Sequence, residues 1–142
     1  MSEQEAFTPG EWRTLQLAPF WIFSALVGAY RNIDPLEYEA FWRSLDVAAS
    51  TPGRLSREVL ASITTERGRL TEQYETDSRT IARGLCAVAE VLDTVPTDEA
   101  DMFKDMLLSG VGLSVAMARG RFGRVVSEDD EKTLALVAQF LS

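Results

Sequence analysis

Residues 17–30 read LAPFWIFSALVGAY. None of these fourteen residues carries a charge, so no face of a helix built from them suits water. A membrane span needs about 20 apolar residues. The stretch is therefore expected to be a helix buried inside a helical domain, with Trp21 as the surest core aromatic and Trp12 and Trp42 beside it. Pro19 lacks a backbone donor and costs about 3 kcal/mol inside a helix, so a kink or a fresh start is expected near Ala18.

The segments around this helix carry helix punctuation. TPGE at residues 8–11 offers Thr as N-cap, Pro at the first helical position and Glu at the third, a capping box. DPLE at residues 34–37 repeats it with Asp as the cap. STPG at residues 50–53 breaks the chain, and Leu55, Val59 and Ile63 then fall at four-residue steps. Gly68 lies in a polar stretch, residues 63–77, where the helix should end or fray. Ile81, Leu85, Val88 and Leu92 form an amphipathic stripe that Pro96 closes. Cys86, beside Leu85, reads as a small core residue.

Asp98 opens a helix running to about Arg119, with a second charge-free centre, LLSGVGLSVAMA, at residues 107–118. Gly110 and Gly112 each cost up to about 1 kcal/mol there relative to Ala, which makes sense if another helix packs closely. The stretch 119–124, RGRFGR, reads as a loop. Ser127 caps a last helix with Leu134, Val137 and Leu141 inward. No alternating strand pattern occurs. The fold class is all-α, about seven helices in one domain over residues 8–142, after a flexible N-terminus at residues 1–7.

A shift of 89 residues overlays two halves, 8–46 and 97–141, joined by the helices in 51–95. Thr8 then falls on Thr97, Ile22 on Val111 and Leu26 on Val115. Each half gives a helix start, a charge-free helix, a loop and a capped amphipathic helix. The order suggests a pseudo-two-fold repeat whose charge-free helices touch at the centre; the alternative is convergent capping, because Asp or Ser followed by an acid three residues on starts many helices.

These parts, SALVGAYRNIDPLEYEAF in one half and LSVAMARGRFGRVVSEDDEKTLALVAQFL in the other, resemble the tellurite-resistance TerB-like domains, small helical bacterial proteins. The resemblance implies a binding or scaffold role in stress response. It also implies divalent-metal binding through acids at the two helix starts, here Asp34, Glu37, Asp130 and Glu131. The turns before those starts carry Arg31 and Arg124, which would repel a cation, so any Ca²⁺ or Mg²⁺ is expected to bind weakly.

Composition narrows the chemistry. The chain has 142 residues, a net charge of −8, one cysteine and no histidine. Structural zinc sites use Cys and His, and helical di-iron sites use Glu-x-x-His. Neither residue set is present, nor is a Ser-His or Cys-His pair. No cofactor is implied and the reading is non-enzymatic, with carboxylate-pair chemistry the only enzymatic class left open. The negative charge disfavours nucleic acid and anionic membranes as partners. The opening MSEQEAFTPGEW is acidic and polar, unlike a secretory leader, so the expected compartment is the cytoplasm.

Acids in a first helical turn also favour the helix dipole, which accounts for the acidic clusters without a ligand. The basic stretch is less easily absorbed. Arg119 suits a helix C-terminus, but Arg121, Phe122 and Arg124 lie beyond it. Together Arg119, Arg121, Phe122 and Arg124 are the candidate protein-binding residues, suited to an acidic segment or an anion with Phe122 as aromatic anchor. The alternative is an acidic helical module of the inhibitor or immunity type.

Overall fold

The computed structural model describes residues 3–27, 35–119 and 126–142. After a 3₁₀ turn at Glu3–Ala6 come α1 (Pro9–Val27), α2 (Pro35–Ala48), α3 (Arg54–Thr65), α4 (Arg67–Thr76) and α5 (Ile81–Leu92). Next is α6 (Thr97–Asp105), which continues through wider π-helical turns (Met106–Gly112) into α7 (Leu113–Arg119), and finally α8 (Glu128–Leu141). With residues 97–119 taken as one rod, the described residues form seven helices and no strand. The fold is all-α.

α1 is the spine. Leu15, Leu17, Phe20, Trp21, Ile22 and Phe23 point in different directions around it, yet all are buried. α5 and α8 pack along it, α3 and α4 meet it elsewhere, and the π-helical segment crosses it. Of the two outcomes expected near Ala18, a fresh helix start does not occur, because α1 runs through Pro19 without interruption. Proline removes one of the helix's hydrogen bonds. Each fully buried Leu, Ile or Phe side chain contributes about 1.5–3 kcal/mol, so α1's cover outweighs that local cost.

The rod 97–119 explains its glycines. A Cβ on Gly110 would lie 3.1 Å from Ala48 Cβ of α2. On Gly112 it would lie 2.7 Å from Leu134 Cδ2 of α8, 3.1 Å from the Leu107 carbonyl and 3.4 Å from Ile22 Cγ2 of α1. Three helices thus approach the rod where it has no side chains. π-helical turns add a residue per turn, and they occupy this same span. The two charge-free helices do touch, as their composition suggested. However, the second is not buried all round. Met106, Leu107 and Val111 are sealed, whereas Leu113 and Met117, toward the α7 end, are 40% and 38% exposed.

Two of the capping readings hold at atomic level. Thr8 N–H donates to Glu11 Oε1 at 2.8 Å, and Glu11 N–H returns a bond to Thr8 Oγ1 at 3.1 Å. Ser127 Oγ accepts from Asp130 N–H at 3.1 Å. Thr80 caps α5 in the same way through Arg83 N–H. The start of α3 is capped from a distance, by Glu99 of α6 accepting from Arg54 N–H at 3.0 Å.

The helix does end in the polar stretch 63–77: the break falls at Glu66, between α3 and α4, and Gly68 lies inside α4 in open space. One local reading needs correction. Cys86 is exposed and is not a core residue. The stripe Leu85–Val88–Leu92 faces inward, and one residue on from Leu85 turns about 100° away from it.

Candidate functional surface

Among the described residues, no group of three or more Asp, Glu, Cys or His side chains is placed to hold an ion. Glu37 is half-buried in the first turn of α2. Asp130 is only 5% exposed at the start of α8, while Glu131 beside it is exposed. Glu128 pairs loosely with Lys132 at 3.7 Å. Asp34, Arg121, Phe122 and Arg124 lie outside the described residues. Arg119 is placed as the last residue of α7.

The polar side chains that do converge join helix to helix. Asp77 and Arg79 make a two-pronged pair, Nε to Oδ1 at 3.1 Å and Nη2 to Oδ2 at 2.9 Å. Arg79 Nη1 also donates to Thr14 Oγ1 of α1 at 3.0 Å, and its guanidinium lies 4.8 Å over the Trp21 ring. Nearby, Gln16 Nε2 of α1 donates to Ser62 Oγ at 3.0 Å and to Glu66 Oε2 at 2.9 Å. Ser24 of α1 shares a short hydrogen bond with Tyr74 of α4. No sequence motif announces the bonds made by Thr14, Gln16 and Ser24 of α1, whose partners stand 46 to 65 residues away.

The Asp77 carboxyl is held below the usual carboxylate range, chiefly by its side-chain bonds from Arg79, with burial opposing and Arg13 assisting. A carboxyl that gives up its proton more readily when folded stabilises the fold at pH values above its unfolded pKa, about 3.9. That contribution is lost as pH falls through the lower folded value. Asp77→Asn should therefore destabilise the protein by about 1–3 kcal/mol at pH 7. The gap to wild type should close on acidification below pH 4, as read by chemical denaturation. An unchanged gap at every pH would show that the charge contributes nothing.

Few large apolar side chains are exposed among the described residues, and three of them stand on adjoining elements. Val47 of α2 is 57% exposed, and α2 packs against α7, which presents Leu113 and Met117 one turn apart. These two share one face, and α7 leads directly into residues 120–125. Elsewhere, the outer face of α5 forms a shallow groove of about 440 Å³ lined by Arg79, Ala82, Arg83, Cys86, Ala87 and Glu90. Leu113 and Met117 were missed in the sequence because a charge-free helix reads as buried on every side.

Comparisons with protein-family models, curated proteins and solved structures find no match for the chain. No described helix is long and apolar enough to cross a membrane.

Proposed function

We propose that this chain is a non-enzymatic helical binding domain that captures an acidic, partly apolar segment of another protein at the end of α7. The observation that carries this reading is the pair Leu113 and Met117, left exposed on a helix that leads into the arginine-rich residues 119–124. Apolar side chains would supply contact area, Met117 being adaptable in shape. Arg119, Arg121 and Arg124 would supply charge complementarity, with Phe122 as anchor. A local positive field can attract an acidic partner despite a negative total. The resemblance to TerB-like domains supports placing such a scaffold in bacterial stress response, with at most weak divalent-cation binding at the acidic helix starts.

Two variants test the proposal, Arg121→Ala with Arg124→Ala, and Leu113→Ser with Met117→Ser. Exposed charges contribute about 0–1 kcal/mol to stability, so the arginine variant should melt within a few degrees of wild type. Proteins captured by wild type in quantitative pull-downs should fall at least roughly tenfold with either variant. Capture of the same proteins at the same strength by both folded variants would remove the α7 end as the binding surface.

A further inference from the structure

The α5 groove carries a charge pattern that is complementary to itself. Arg83 and Glu90 are both exposed, and neither forms an ion pair among the described residues. They stand seven residues apart, which is about two helical turns and about 10.5 Å along one face. The midpoint falls between Cys86 and Ala87, so the centre of the face is built from short side chains. The opposite face of the helix is occupied by α1 and α8.

We propose that α5 is a homodimer interface, in which α5 of a second copy lies antiparallel in this groove about a two-fold axis between Cys86 and Ala87. In that arrangement the Arg83 of each copy faces the Glu90 of the other, forming two identical ion pairs. Ala82, Cys86 and Ala87 leave the centre free of bulk, so the helix axes can approach to about 8 Å, the near end of ordinary helix packing. A parallel arrangement would set Arg83 against Arg83 and Glu90 against Glu90, which selects the antiparallel one. A two-fold interface requires such self-complementarity, because the same patch must serve on both sides. One helix face is smaller than the roughly 1,600 Å² of a standard interface. The dimer should therefore be weak, dissociating on the order of tens of micromolar. The inference is independent of the binding proposed at α7, which lies on other residues.

Charge reversal gives the test. Analytical ultracentrifugation of the full chain between roughly 1 μM and 1 mM should show a monomer–dimer equilibrium. Arg83→Glu alone, or Glu90→Arg alone, replaces two attractive pairs with two repulsive ones and should weaken association by at least roughly tenfold. The double variant, Arg83→Glu with Glu90→Arg, restores both pairs with their signs exchanged and should recover the wild-type dissociation constant to within about threefold. The single cysteine provides a second readout. A short bis-maleimide should link two copies through Cys86 in wild type and in the double variant, and much less in either single variant. Both positions are exposed, so melting curves should confirm that every variant is folded. A wild-type chain that stays monomeric at 1 mM, single variants that associate as well as wild type, or a double variant that fails to recover would each overturn the proposal.

Discussion

Gly84→Ala should destabilise this protein by about 2 kcal/mol, even though alanine is the better helix former. A Cβ added to Gly84 in α5 would sit 2.3 Å from Trp21 Cε2, 2.5 Å from Cδ2 and 2.7 Å from Cζ2. Real carbon atoms do not approach so closely, so the indole or the helix must move. The indole has little room, because Trp21 is only 1% exposed and Arg79 lies over its ring. Overpacking of this kind costs about 1–3 kcal/mol, occasionally more, and exceeds the gain of about 1 kcal/mol from helix propensity. Gly68→Ala is the control. A Cβ there meets nothing within 4 Å, and the residue lies inside α4. That change should stabilise by about 0.5–1 kcal/mol. Urea denaturation of both variants reads the two signs directly. Equal effects at the two glycines would show that α1 and α5 do not cross as described. Pairing Gly84→Ala with Trp21→Phe should cost less than the sum of the two single changes, since a smaller ring makes room.

The same crossing shows why some of the fold was legible and some was not. Thr8, Glu11 and Ser127 act within their own turns, so four residues of sequence contain the whole interaction. The stripes Leu55–Val59–Ile63 and Leu85–Val88–Leu92 were legible because burial imposes the helical period on one face. A fresh start at Pro19 was left open because its local penalty was weighed without the neighbours that cover α1. Cys86 was misread from its chemistry, although its position on the wheel already placed it outside the stripe. Leu113 and Met117 show the opposite failure. A charge-free stretch reveals that no face is polar, but not how many neighbours arrive to cover it. The bonds from Gln16 to Ser62 and from Arg79 to Thr14 join distant residues, and nothing local in the sequence marks them. The acidic turns were legible as helix starts, a role Ser127 and its following acids fulfil. As a metal site they would need convergence from separate helices, which capping signals do not encode.

Phe41→Ala should be among the most damaging single changes in the chain, at about 3–5 kcal/mol. Phe41 of α2 is fully buried and meets three rings, Phe23 at 4.7 Å, Trp42 at 5.0 Å and Phe20 at 5.2 Å between centroids. Phe23 and Phe20 belong to α1, and Phe20 also stacks on Tyr74 of α4 at 5.3 Å. The ring therefore ties α2 to the spine and, through Phe20, to α4. Removing it leaves a cavity whose walls are aromatic and rigid, and such walls collapse poorly into the space. Domains of this size are stable by only about 5–15 kcal/mol, so the loss is a large fraction of the total. It should also be uneven. α2 depends on this cluster, whereas α5 is held to α1 through Trp21 and Gly84. Amide exchange in the variant should accelerate more in α2 than in α5, and the release of α2 would disturb the exposed Val47 beside α7. Phe41→Leu, which keeps most of the volume, should cost less than about half as much. A cost for Phe41→Ala below about 1 kcal/mol, or equal acceleration of exchange in α2 and α5, would show that the aromatic cluster does not anchor α2.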